Sequence, residues 1–408
     1  MQNNQKIRLI VQPRENNRSY LYDYHSHIEI NEKEHPFGKG GGIDLDLKIA
    51  KLKATCEAIE RYAGSVIPDQ TYIKSSYNEI KSEAINPKRL IDFDSLQYTE
   101  AFPFSRFRPN TKIDWVKAFS VTKNRNVLIP ASAIFLGYNA IIPKKLRLFP
   151  TTSNGLALGT SGKDAFRRGL YELIERDAAL TLWYTQRIPI RVNLDSLSNS
   201  DFHFIKNKII DEGLILEVCI STFDIPIPST IAIIRDIKGY PAFSVGLGCD
   251  NNLEKAVFKA TMEALMVRNT LELLPKDMRV NIKIKRRSVK NFMDHALYYS
   301  TLSKEKVIRK LYSGKKLTIA KINSKFGLSE KYSDLDTLIA LFTRKNMEII
   351  KYDLTTPIIS DMGYSVVKTI VPELQQMDIS YEARFLRSNR LTGLVSSKKI
   401  NPYPHPFG

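Results

Sequence analysis

The chain has 408 residues, of which 43% are hydrophobic and 25% charged, the balance of a folded protein with a sizeable core. No run approaches the roughly 18 apolar residues of a spanning helix, and the start, MQNNQKIRLIVQPRENN, lacks the apolar segment and cleavage site of a secretory signal, so no spanning helix and no export are expected, and a cytoplasmic protein is. A formal charge of +18 favours an anionic partner such as a nucleotide, a nucleic acid or an acidic peptide.

In chain order, KIRLIVQP and YLYDYHSHIEI read as strands by their β-branched and aromatic content. His25 and His27 share one strand face, but no further Cys or His lies nearby to complete a zinc site. Residues 47–63 read as a helix, with Gly64 placed to close it. WVKAFSV and NVLIPASAIFL follow as strands. Residues 163–185 make the strongest helix, with Phe166, Leu170, Ile174 and Ala178 on one apolar stripe. LILEVCIST, STIAIIRDI and AFSVGLG read as strands, and 253–274 as a third helix. The lysine-rich stretch 276–345 reads as helical and exposed. It carries much of the positive excess, for example Lys283, Lys285, Arg286, Arg287 and Lys290, with a second cluster at Lys144, Lys145 and Arg147. MEIIKYDL and SVVKTIV are strand-like, before a tail rich in Asn, Arg and Pro. Strands and helices without a strict βαβ order, and without a low-complexity linker, predict an α/β (mixed α+β) enzyme fold, one large domain over residues 1–408. Cys56, Cys219 and Cys249 are sparse, odd in number and far apart, as in a reducing compartment.

The chemistry begins with paired carboxylates. Glu57-Ala-Ile-Glu60-Arg61 recurs as Glu172-Leu-Ile-Glu175-Arg176, and Glu263-Ala-Leu-Met-Val-Arg268 is a looser relative. Glutamates at i and i+3 project from one side of a helix. Four of them facing one cleft carry too much negative charge to stand without cations. All-oxygen donors select hard ions, Mg²⁺ above all where phosphates share the coordination. Taken singly, Lys53, Glu57 and Arg61, or Arg168, Glu172 and Arg176, are also ordinary i, i+4 ladders worth roughly a few tenths of a kcal/mol. Each glutamate pair follows a Gly-rich run, Gly38 to Gly42 and Thr152 to Gly162. Glycines let backbone approach a ligand, and amides at a following helix start hold anions. GTSGKD is not a P-loop, because Ala157 stands in place of the first glycine and Asp164 in place of the Ser/Thr.

The strings GKG…EAIER, TSNGLALGTSGKDAFRRGLYELIERDA and YDLTTP…GYSVVKTIVPEL, in that order over nearly the whole chain, resemble the YcaO family. The resemblance implies a large mixed α/β domain with a non-P-loop ATP site, in which helical glutamates hold Mg²⁺ ions that in turn hold the triphosphate. By it, Glu57, Glu60, Glu172 and Glu175 are the metal ligands, and Lys39, Arg61, Thr160, Asp164, Arg176, Glu263 and Arg268 surround the nucleotide with them. Three positions depart from the family pattern: Asp164 where it usually has Glu, Thr160 where Asn is common, and Met266 where it often has Gln.

The end, Asn401-Pro402-Tyr403-Pro404-His405-Pro406-Phe407-Gly408, resembles the P-x-P-x-P terminus of the azoline-forming members, either with two residues extending past Pro406 or with the repeat read from Pro404 and Gly408 in place of the last proline. Alternate prolines favour a stiff extended tail that enters a pocket at little entropic cost. The implied activity is an ATP- and Mg²⁺-dependent cyclodehydratase. A Cys, Ser or Thr side chain of a ribosomal precursor peptide attacks the preceding carbonyl, the amide oxygen takes the γ-phosphate, and loss of phosphate leaves a thiazoline or oxazoline. His405 and the terminal carboxylate of Gly408 are placed by position as catalytic groups. With an external sulfide the same site would give a thioamide, and with an internal amine an amidine. A different class of function, nucleic-acid or scaffold binding through residues 276–325, predicts affinity that falls steeply with salt. About 37 residues precede the first Gly run, little room for a peptide-recognition domain. A leader-peptide-binding partner in trans is therefore expected, and the resemblance extends to a dehydrogenase in the same complex and to a homodimer.

Overall fold

The computed structural model describes residues 6–68, 72–91, 93–276, 279, 284–396 and 399–407. The chain forms two compact units, Met1–Leu173 with Ile339–Glu373, and Ile174–Leu338 with Leu374–Gly408.

In the first unit, β1 (Ile7–Pro13), β2 (Tyr22–Ile30) and β3 (Lys33–Asp44) form an antiparallel meander. Asn31 and Glu32, both at positive φ, make the tight turn between β2 and β3. Helix α1 (Leu47–Ser65) starts at Asp46, whose carboxylate accepts from the amides of Lys48 and Ile49. The Gly38–Gly42 run is the end of β3 itself rather than a loop. Gly40 and Gly42 admit a helix. A Cβ on Gly40 would lie 2.2 Å from the Ala54 carbonyl oxygen, and one on Gly42 2.1 Å from that of Ala50. Ala50, Ala54 and Ala58, all buried, complete this close approach. Gly64 does not close α1; it lies inside the last turn, packed toward Leu136 and Leu156.

The second sheet of this unit runs in the order β4 (Ile73–Ser76), β5 (Lys112–Ser120), β13 (Ile350–Asp353), β14 (Ser365–Ile370) and β7 (Leu156–Gly159), with β6 (Arg125–Pro130) paired to β5. Helix α2 (Gly162–Thr185) follows β7. The predicted stripe Phe166, Leu170, Ile174 and Ala178 is buried throughout, and the division between the units falls within this helix.

The second unit has a five-stranded sheet in the order β11 (Phe243–Cys249), β10 (Ser229–Arg235), β9 (Ile215–Ile220), β8 (Arg191–Val192) and β12 (Lys316–Leu317). Helix α3 (Leu253–Glu272), capped by Asn252, packs on β11. Stretch 276–345 is helical as expected but not wholly exposed. Its described residues form short helices, among them α4 (Phe292–Tyr299), joined by turns, and His295, Tyr299 and Ile308 point into the core. Lys283 lies outside the described residues.

One local build occurs in both units. Gly246 and Gly248 on β11 admit α3 as Gly40 and Gly42 admit α1, with a Cβ on Gly248 falling 2.1 Å from the Ala256 oxygen. Lys53 bonds Asp44 at 2.6 Å and the Ile43 carbonyl at 3.2 Å, while Lys259 bonds Asp250 at 2.6 Å and the Cys249 carbonyl at 3.3 Å. This pairing is tighter than the E-x-x-E-R echo between α1 and α2.

Candidate active site

Three of the predicted glutamates meet in the first unit. Glu57 on α1 accepts from the Gly41 amide at 2.7 Å and lies 2.5 Å from the Arg61 guanidinium. Glu60, one turn on, accepts from the Leu158 amide of β7 at 3.0 Å. Glu172 on α2 accepts from the Gly155 amide at 2.8 Å. Gly155 sits at φ +73°, and a Cβ there would lie 2.2 Å from the Thr369 oxygen, so only glycine presents its amide in this way. Burial, then the Glu172 and Glu57 carboxylates, push Glu60 well above the ordinary glutamate range, against the Leu158 hydrogen bond and Arg61. Like charges gathered in this way repel one another, and a bound cation would offset them.

The donor set fits Mg²⁺ shared with phosphates. Among the described residues, no three His, Cys, Asp or Glu side chains are placed to hold a metal by themselves. Mg²⁺ bound with a nucleotide takes one or two carboxylates and completes its shell with phosphate oxygens and water, and the carboxylates of Glu57, Glu60 and Glu172 are of that kind.

The remaining first-unit residues have protein partners. Lys39, exposed on β3, lies 2.5 Å from Glu34 of the same hairpin. Asp164, in the first turn of α2, pairs with Arg167 at 2.8 Å and Arg168 at 2.9 Å. It also accepts from the Thr160 amide at 3.4 Å. Burial would raise Asp164, but Arg168, Arg167 and the Thr160 amide outweigh it and hold the carboxyl below its usual range.

In the second unit, Glu263 on α3 accepts from the Leu247 amide of β11 at 2.6 Å. Glu175 lies close enough to Cys249, also on β11, to add to the burial that pushes this thiol far up. Arg268 stands apart from the two glutamates. It is 4% exposed, donates to the Pro241 carbonyl at 2.9 Å and pairs with Asp236 and Glu272. Arg176 is near His405, which it helps to keep neutral.

The proline-rich tail is seated in the core of the second unit. Pro404, His405, Pro406 and Phe407 are buried. Tyr299 donates to the Pro404 carbonyl at 2.6 Å and Trp183 to that of Tyr403 at 3.2 Å. The His405 ring stacks on His295 at 3.9 Å, and its Nε2 is 2.9 Å from the Asp378 carbonyl. Burial above all lowers His405 to about 4 and His295 to about 3. Gly408 lies outside the described residues. The backbone amides of Gly41, Leu158, Gly155 and Leu247, which orient the four glutamates, were not foreseen. The Gly-rich strings mark three of them, but only the tertiary fold pairs amide with carboxylate.

An uncharacterized protein of Methanothermobacter thermautotrophicus is 26% identical over 350 residues, 83% of each chain. A heterocyclase solved in complex with substrate and cofactor superposes with a TM-score of 0.77 at 21% identity, over 98% of this chain and 55% of its own, so the chain spans about half the length of that enzyme. The E. coli microcin synthetase McbBCD complex contains a chain matching with a TM-score of 0.67 at 17% identity, over 98% of this chain and 96% of that one. These likenesses carry the fold, and the sequence profile described as YcaO cyclodehydratase, ATP- and Mg²⁺-binding, matches residues 41–375: the chain belongs to the YcaO family.

Proposed function

We propose that this ATP- and Mg²⁺-dependent cyclodehydratase acts on the backbone amides of a ribosomal precursor peptide and closes Cys, Ser or Thr side chains into thiazoline or oxazoline rings. The observation that carries the reading is the gathering of Glu57, Glu60 and Glu172 in the first unit, with Glu60 pushed well up by its neighbours. Bound Mg-ATP supplies the phosphoryl group that turns an amide oxygen into a leaving group. Glu57, Glu60 and Glu172 hold the cation, each fixed in direction by a backbone amide. Glu263, oriented by the Leu247 amide, and Glu175 have the same task in the second unit. Arg61 neutralises charge beside Glu57, and Asp164, braced by Arg167 and Arg168, adds a carboxylate at the start of α2. Arg268 braces the second unit from within. His405, buried and neutral, holds the tail in place and acts as a positioning residue.

The likeness to a substrate-bound heterocyclase and to a chain of the McbBCD complex supports a peptide substrate and a leader-binding partner. The proline-rich end supports rings over thioamides. Titration calorimetry tests the site: Mg-ATP binds the native chain, and Glu57→Gln or Glu172→Gln abolishes binding in protein that remains folded. Equal binding in all three would overturn the assignment. Mass analysis of a coexpressed precursor tests the product: ring closure removes one water per site, whereas exchange of oxygen for sulfur would refute the azoline reading.

A further inference from the structure

In the first unit, beside β4 and the start of β5, lies a groove of about 830 Å³. Its floor includes Phe104, Phe107, Leu146 and Leu148, and its rim is cationic: Lys74, Arg106, Arg108, Lys112 and Lys145. No described Asp or Glu lines it. Two nearby carboxylates are already engaged. Asp114 accepts from the Tyr138 hydroxyl at 2.6 Å and stands 4.0 Å from Lys74. Glu79 takes hydrogen bonds from the Ser76 amide and the Ser75 hydroxyl. Arg108 and Lys145, both exposed, have no side-chain partner among the described residues. Five cations over an apolar floor repel one another, and an anionic ligand that also carries apolar groups relieves both the charge and the exposed apolar surface.

We propose that this groove binds an acidic peptide segment with apolar side chains set among its carboxylates. The inference deepens the proposed function and rests on it, giving this chain a hold on peptide away from the nucleotide. A peptide fits better than single-stranded nucleic acid, which needs open aromatic faces on which bases stack. Here the rings are engaged within the protein. Phe104 stacks on Phe93 at 5.5 Å and 8°, and meets Phe102 edge-on. The Tyr98 ring lies under the Arg106 guanidinium at 4.5 Å. Apolar side chains need only the floor, and carboxylates pair with Arg108 and Lys145 without displacing an existing partner.

The test is fluorescence anisotropy on the full chain without nucleotide. The probe is a labelled synthetic peptide of about a dozen residues alternating Glu with Leu. Its Gln-for-Glu counterpart and an oligothymidylate of equal length serve as comparisons. The Glu peptide should bind about tenfold more tightly than either, and less tightly as salt rises. Arg108→Glu combined with Lys145→Glu should weaken it by about tenfold or more, leaving Mg-ATP binding and melting temperature unchanged. If the reversal does not fold, Arg108→Ala with Lys145→Ala should give a smaller loss in the same direction. Equal binding of the Glu and Gln peptides, or of native and variant chains, overturns the proposal, and preference for oligothymidylate reassigns the groove to nucleic acid. No outcome depends on ATP or turnover, so failure here leaves the glutamate site standing, and failure of Mg-ATP binding leaves the groove to be judged alone.

Discussion

Glu60 carries opposite consequences for stability and for ligand binding. Burial and the charges of Glu172 and Glu57 raise its carboxyl well above the reference of 4.5. A carboxyl whose folded value lies above its unfolded one stabilises the fold only while protonated. That contribution is present below about pH 4.5 and is lost as pH rises through the folded value. At neutral pH, without a cation, Glu60 therefore works against the fold. Glu60→Gln keeps the acceptor for the Leu158 amide and removes the charge. We expect the nucleotide-free variant to melt about 2–4 °C higher than the native chain near neutral pH, while Mg-ATP no longer raises its melting temperature. Scanning calorimetry with and without nucleotide checks both halves, and a lower melting point without ligand would contradict the first. The pairing of glutamates on α1 and α2 was legible because E-x-x-E-R repeats on two strongly periodic helices. For His405 the alternate prolines pointed to a seated tail, but nothing in the sequence named His295 and Asp378 as the partners around its ring.

At the scale of elements, the glycine strands and the tail are the sensitive parts. A methyl on Gly42 or Gly248 would lie 2.1 Å from a helix carbonyl oxygen, which has no rotamer by which to move away. Gly42→Ala and Gly248→Ala should each destabilise by at least about 1–3 kcal/mol, the range for overpacking, read by urea denaturation. Phe407, fully buried and in edge contact with Trp183, should cost about 3–5 kcal/mol on truncation to alanine. An effect near zero would mean that the tail is not part of the core. The helices and most strands were readable from their periodicity and β-branched runs. The strand β3 was not, because glycine is depleted from strands and its use here depends on a helix that follows in sequence but packs in three dimensions. Stretch 276–345 read as exposed because lysines dominate its composition, while the buried positions His295 and Tyr299, four apart, sit on a helix of only eight residues, too short for its stripe to stand out.

For the whole molecule, stability should depend on mild acid. His405 and His295 are held near 4 and 3 by burial, against 6.5 in the unfolded chain. Below about pH 6.5 the unfolded chain gains protons at both, and the folded chain does not. Asp378, raised by burial to about 6, takes one proton in the folded state and offsets one of the two. Within this cluster the net difference of about one proton contributes a loss of about 1.4 kcal/mol per pH unit between roughly pH 6 and 5, opposed by Glu60, whose raised carboxyl takes up a proton in the folded state. Chemical denaturation across that window measures the slope, which should shrink in His405→Gln. Tyr184, which bonds Asp378 at 2.8 Å, and the Arg384 and Arg176 charges remain in both proteins. The mixed α and β class was legible from the alternation of patterns. The division into two compact units had no sequence signal, because it falls inside α2 between Leu173 and Ile174 rather than in a linker.

The matched strand–helix builds also speak of ancestry. Gly40, Gly42, Asp44, Ala50, Lys53, Ala54, Thr55 and Glu57 recur, at one constant spacing, as Gly246, Gly248, Asp250, Ala256, Lys259, Ala260, Thr261 and Glu263. The glutamate of each copy accepts from the amide lying between its two glycines, Gly41 in one and Leu247 in the other. Such a match is what an internal repeat of one strand–helix unit would leave. The two units differ where Glu60 and Arg61 on one helix stand opposite Met266 and Val267 on the other.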